Sequence, residues 1–141
     1  MNILILHGPN LNMIGKMASY QGKQITLDKI NSELRHKVRN QDIQLKMIQT
    51  HKVFQAINFI QRNRNWADAL VLAPMAWARY EYAVLEALQI SKIKTIQVLF
   101  SEGYSNVSES DSIFSTICYS TIVGPPDGIY LDALEAIINS D

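Results

Sequence analysis

Apolar positions along the chain follow two alternating patterns, short continuous runs and longer stretches in which they recur every three to four residues. Residues 3–6 predict a buried first strand, which breaks into Gly8-Pro9-Asn10-Leu11-Asn12, a turn carrying amide side chains to the strand's carboxyl end. Thr26 or Asp28 then caps a helix with the apolar stripe Leu27, Ile30, Leu34 and Val38, and Asn40 ends it. Residues 43–49 alternate with period two, as a strand with one better-buried face does. Phe54, Ile57 and Ile60, with Phe59 as a further member, mark a helix closed by Asn63-Arg64-Asn65. Residues 69–73 are continuously apolar, as expected of a strand covered on both faces, and Pro74 stops it.

The second half repeats the scheme. Tyr82, Leu85 and Leu88 give a helical stripe, and residues 94–100 resume strand character. Residues 101–112 turn to Ser, Glu, Gly and Asn, predicting a surface segment of modest order. Residues 117–123 predict a last strand, stopped at Gly124-Pro125-Pro126-Asp127-Gly128, and Leu131, Leu134, Ala136 (or Glu135) and Ile138 belong to a closing helix. Five strands alternating with helices predict one domain over residues 1–141, an α/β flavodoxin-like fold. Its doubly wound five-stranded parallel sheet carries helices on both faces, because parallel neighbours need helical crossovers. Gly15 and Gly22 bracket Lys16, Met17, Ser19 and Tyr20, a segment expected to be a mobile loop or lid.

Composition narrows the function classes. Thirteen basic and thirteen acidic residues cancel, so no charge footprint points to nucleic acid or an anionic membrane, and a small partner is expected. The single cysteine, Cys118, fits a reducing cytoplasm and is read as a small hydrophobe in a buried strand. The apolar N-terminal run is too short for a membrane span and has no basic n-region, so neither a signal peptide nor an anchor is expected. The three histidines show no metal-ligand spacing. A flavin or nucleotide would need a Gly/Ser/Thr-rich first loop, for which Gly-Pro-Asn-Leu-Asn is a poor cradle.

The run from Gly8 to Gly15, Tyr20, and Thr26-Leu27-Asp28-Lys29-Ile30-Asn31 resemble the opening of the type II 3-dehydroquinate dehydratases. Further matches follow in order: Gln49-Thr50, then Pro74 with Ala76 and Trp77, then Ser101, then Ile122-Val123-Gly124. The resemblance implies dehydration of 3-dehydroquinate to 3-dehydroshikimate without metal or organic cofactor. A lid tyrosinate, kept ionised by an arginine, removes the proton alpha to the carbonyl. An amide-held water stabilises the enolate, and a histidine protonates the departing hydroxyl. It also implies a homo-oligomer, a dodecamer assembled from trimers.

On that resemblance Asn10 matches the water-positioning amide and Tyr20 the base, with Gln21 competing for the same alignment. The remaining positions depart from the pattern. Lys16 or Met17 stands near the lid arginine, Ala73 replaces an asparagine, Arg79 a substrate-contacting histidine, and Asn106 and Ser110 stand near two arginines. Leu99 occupies the position of the proton donor and Gln97 that of its carboxylate orienter, and leucine has no proton to give. A catalytically impaired protein that binds a quinate- or shikimate-like anion is therefore expected. Its candidate ligand contacts are Asn10, Asn12, Ala76, Arg79, Phe100 and Ser101, the last two offering backbone N–H groups. In the alternative of an active dehydratase, Lys16, His7, His51 or Arg79 takes over the missing work. His7 is read as a hydrogen-bonded structural residue, His36 as solvated, and His51 as a loop or helix-capping residue with the pocket as its alternative. Arg79 has two readings, an anion contact or a salt bridge to Glu81 or a neighbouring subunit.

Overall fold

The computed structural model describes residues 1–101, 103–104 and 107–140. Five strands, β1 (Asn2–His7), β2 (Gln44–Gln49), β3 (Ala69–Ala73), β4 (Lys94–Phe100) and β5 (Ser120–Gly124), form one sheet in the order β2-β1-β3-β4-β5. Every neighbouring pair is parallel. Among the described residues six α-helices accompany it: α1 (Ile14–Tyr20), α2 (Leu27–Val38), α3 (Val53–Arg62), α4 (Trp77–Tyr80), α5 (Tyr82–Ser91) and α6 (Pro126–Ile138). This is the flavodoxin-like α/β architecture that the sequence pattern predicts.

The alternation of side chains along a strand divides the core in two. Ile3 and Ile5 pack with α1, α2 and α6 on one face. Leu4 and Leu6 pack with α3, α4 and α5 on the other. Because β1 and β3 are buried on both faces, their sequences are continuously apolar rather than alternating. Thr26, not Asp28, caps α2, its Oγ1 accepting from the Lys29 amide at 3.2 Å.

Two expectations are corrected. The segment between Gly15 and Gly22 is a helix, not a loop. Ile14 and Ala18, four residues apart, fall on one helical face and are fully buried in the core. Gly22, at φ 72°, closes α1: its amide bonds the Ser19 carbonyl at 3.1 Å and that of Lys23 bonds Ala18 at 2.9 Å. The last strand begins at Ser120 rather than near 117, because Ile117 and Cys118 both donate to the Phe114 carbonyl (3.1 Å each) in a tight turn. The short helix α4 has no counterpart among the predicted elements. No described helix is long and apolar enough to cross a membrane.

Candidate functional site

The strand order reverses between β1 and β3, and at their carboxyl ends two turns meet. Gly8 donates to the Ala73 carbonyl at 2.8 Å, while its own carbonyl accepts from Gln49 Nε2 at 3.1 Å. A Cβ on Gly8 would lie 2.6 Å from the Pro74 oxygen, so only glycine lets these turns approach. The approach sets Asn10 beside Met75, and both hold left-handed backbone conformations, φ 70° and 52°. Asparagine tolerates that region; for methionine it is a strained one, and such residues cluster where a ligand is held.

Between the turns lies a cavity of about 610 Å³. It brings together three of the expected contacts, Asn10, Ala76 and Arg79. Among the described residues Arg79 has no carboxylate partner, and Glu81 is not bonded to it. The remaining wall is apolar or aromatic: Met13, Met17, Met75, Tyr80, Tyr104 and Val107. Tyr104 is absent from the sequence-derived contacts. It is 6% exposed, sits edge-on to Phe100, and its hydroxyl is buried with no hydrogen-bond partner among the described residues. Its signal in the sequence was slight, one aromatic residue in a Ser- and Gly-rich stretch.

Four other candidate residues lie off this wall. Asn12 is exposed in the turn after Asn10. Tyr20 is 75% exposed at the end of α1, with the Lys16 ammonium 5.8 Å over its ring. The expected cradle of Phe100 and Ser101 N–H groups does not form as drawn, because the Ser101 amide continues the sheet pairing by donating to the Gly124 carbonyl at 2.8 Å. The Phe100 ring faces the core. Asn106 lies outside the described residues, and Ser110 is exposed beside Ser108.

No imidazole or carboxylate lines the cavity among the described residues. His7 is fully buried beneath it, Nδ1 2.8 Å from the Tyr130 hydroxyl and Nε2 2.8 Å from Asn31 Oδ1. An amide oxygen only accepts, so Nε2 carries the proton and Tyr130 donates to Nδ1. Burial lowers the His7 pKa to about 4 against the opposing Asn31 bond, and drives that of Tyr130 upward, so both are neutral near pH 7. His51 is exposed ahead of α3, off the cavity wall, and His36 is exposed on α2. Leu99 is 2% exposed in β4. Gln97 is enclosed by hydroxyls: Nε2 donates to Ser115 (3.1 Å) and Thr121 (3.0 Å), and Oε1 accepts from Ser112. Burial pushes the Cys118 thiol up to about 12, outweighing a backbone hydrogen bond at Gln97, so it is no nucleophile near neutral pH. No group of three His, Cys, Asp or Glu among the described residues suits a metal.

The site is equipped to hold an anion. Arg79 supplies a permanent charge and Asn10 an amide. Comparison with known proteins agrees with the fold. A family model described as dehydroquinase class II matches residues 1–138. A 3-dehydroquinate dehydratase of Desulfitobacterium hafniense is 33% identical over 134 residues, covering 94% of this chain and 92% of the relative. One from Dictyoglomus turgidum is 31% identical over 136 residues, 96% and 94% of the two chains. Among solved structures, the type II dehydroquinase of Butyrivibrio crossotus superposes with a TM-score of 0.84 at 26% identity, covering 99% of this chain and 98% of its own. With the reversal point of the sheet, the Gly8 turn and a match over nearly every residue all in agreement, this chain belongs to the class II dehydroquinase family.

Proposed function

We propose that this chain binds a small carboxylate at the β1/β3 cavity and does not efficiently dehydrate 3-dehydroquinate. One observation carries the reading: the described cavity wall offers a guanidinium, an amide and phenols, but no imidazole or carboxylate. Arginine stays protonated, so it pairs with an anion without acting as an acid. Leu99 stands where the family resemblance calls for the proton donor. His7 is enclosed by Tyr130 and Asn31. A general acid and a general base are each typically worth about 10²–10⁴ in rate.

The names of the relatives favour a second reading, an active 3-dehydroquinate dehydratase with substitute residues. Mixing the purified chain with 3-dehydroquinate and following conjugated-enone absorbance separates the two. The expected result is no turnover above buffer, and a rate near that of ordinary enzymes overturns the proposal. The ligand is quinate- or shikimate-like, no organic cofactor or metal takes part, and the working compartment is the cytoplasm. A homo-oligomer, a dodecamer of trimers, is the proposed assembly. Tyr80 and Tyr82, 58% and 63% exposed, are available to contribute to its contacts. Light scattering on the eluting protein measures the assembly mass, and a monomer overturns it.

A further inference from the structure

Three of the chain's five methionines, Met13, Met17 and Met75, line the same cavity as Arg79. Met13 immediately precedes α1 and Met17 follows it by one helical turn, so the two share a side of that segment, and Met75 joins them from the turn after β3. Met13 is 52% exposed, and Met17 and Met75 are partly exposed while also packing against the core. Reagents in solvent therefore reach this wall. Oxidation of a thioether to a sulfoxide replaces a flexible apolar surface with a polar one whose oxygen accepts hydrogen bonds. The Arg79 guanidinium only donates, and among the described residues it has no carboxylate partner. A sulfoxide oxygen on this wall thus offers Arg79 the kind of acceptor that a ligand carboxylate offers.

We propose that Met13, Met17 and Met75 form a reversible oxidation site that closes the cavity to its carboxylate ligand. This rests on the carboxylate-binding reading above and adds a means of regulating the same site. The oxidant is a hydroperoxide, in the simplest case hydrogen peroxide. A sulfur lone pair attacks one peroxide oxygen, the S–O bond forms as the O–O bond breaks, and the departing hydroxide takes the proton of the transferred oxygen and leaves as water. Sulfur is oxidised and the peroxide is reduced. Return to the thioether consumes a dithiol and yields a disulfide and water. Met13, the most exposed of the three, is modified first. The sulfoxide oxygens compete with the ligand carboxylate for Arg79.

Calorimetric titration of the full chain with quinate and shikimate, before and after dilute hydrogen peroxide, tests the proposal, with peptide masses locating the sulfoxides. Sulfoxide is expected at Met13 ahead of Met17 and Met75. Affinity for the acid that binds should fall about three- to tenfold, the worth of one hydrogen bond, with the circular dichroism spectrum unchanged. Methionine sulfoxide reductase with dithiothreitol should restore it. A variant combining Met13→Leu, Met17→Leu and Met75→Leu keeps Met1 and Met47 and should show no loss on treatment. Each protein is compared with itself before and after peroxide, so any effect of leucine on basal affinity cancels. Met13→Leu alone, at an exposed position, serves for the same comparison if the combined variant does not fold, and Met47→Leu should behave as the parent. Absence of sulfoxide at Met13, affinity that survives oxidation of all three, a loss that persists in the combined variant, or a loss that accompanies unfolding overturns the oxidation site while the carboxylate-binding reading stands. Failure of the untreated chain to bind either acid overturns both.

Discussion

The His7 imidazole and the Tyr130 hydroxyl, 123 positions apart in sequence, meet at 2.8 Å beneath the reversal point of the sheet. His7 ends β1 and Tyr130 lies in α6, so the bond ties the last helix to the first strand. With Asn31 of α2 on the other ring nitrogen, the imidazole joins three elements under the cavity floor. Phe100 continues the layer, its ring 6.0 Å from Tyr130 and 6.4 Å from Tyr104.

Acid sensitivity follows from that burial. His7 titrates near 6.5 when unfolded and near 4 when folded, so between these values the unfolded chain binds more protons. The stability associated with neutral His7 is complete above pH 6.5 and falls as pH drops towards 4, by about 3 kcal/mol at about 1.4 kcal/mol per unit. Glu135, held below the usual carboxylate range by Lys37, acts in a lower window: its contribution is present above the unfolded value of 4.5 and is lost as pH falls through the lower folded value. Urea unfolding between pH 7 and 4.5 should therefore show a slope in the parent that His7→Asn largely removes. Parallel slopes in the two proteins count against this assignment.

Gly8→Ala tests the approach of the two turns. Its Cβ meets the Pro74 and Ala73 carbonyl oxygens at 2.6 and 2.8 Å, and backbone atoms held by the sheet cannot rotate aside as a side chain would. Overpacking typically costs about 1–3 kcal/mol, and this site belongs at the upper end. The expected outcome is a lower urea midpoint together with weakened carboxylate binding, because Asn10 is displaced from Met75. Unchanged stability means the turns separate readily.

Where burial is two-sided, the chain is read easily: residues 3–6 and 69–73 of β1 and β3 are uninterrupted apolar runs. α1 was hidden because only Ile14 and Ala18 of its seven residues are fully buried, too few for a periodicity, and its glycines suggest a loop. Trp77 and Ala78 are buried in a helix of four residues, too short for any repeat. In the site, Asn10 could be placed because it follows a strand end, and Arg79 through the family resemblance, in which it replaces a substrate-contacting histidine. Tyr104 could not, since its burial depends on Phe100 across a turn that composition does not reveal. The hydrogen bond between Ser101 and Gly124 depends likewise on strand register.

Gln97 shows why a carboxylate no longer suits its position. The Ser115 hydroxyl donates to the Glu109 carbonyl at 2.6 Å and therefore accepts from Gln97 Nε2, an arrangement that an ionised carboxylate cannot reproduce. Gln97→Glu should destabilise the chain by about 1–3 kcal/mol at pH 7.5. Burial raises the new carboxyl above its unfolded pKa, so the deficit relative to the parent at the same pH shrinks on acidification to pH 5, where the protonated acid again donates. Urea midpoints at the two pH values measure it. A Gln97→Glu variant as stable as the parent at pH 7.5 shows that the hydroxyl network rearranges freely.

Leu99→His separates a site lacking one part from a site lacking its machinery. If the base and its activating charge were in place, restoring an acid alone would raise the dehydration rate by about 10²–10⁴. Tyr20, however, is exposed and off the cavity wall, and Lys16 lies over its ring. Gln97, the neighbour that would orient an imidazole at 99, is already bonded to Ser112, Ser115 and Thr121. Groups that act as a unit do not recover function one at a time. Enone formation by the Leu99→His variant is therefore expected to stay within about tenfold of the parent, below the range a working general acid supplies. A rise of a thousandfold or more would show that the rest of the reaction site is intact and that position 99 alone holds the activity back.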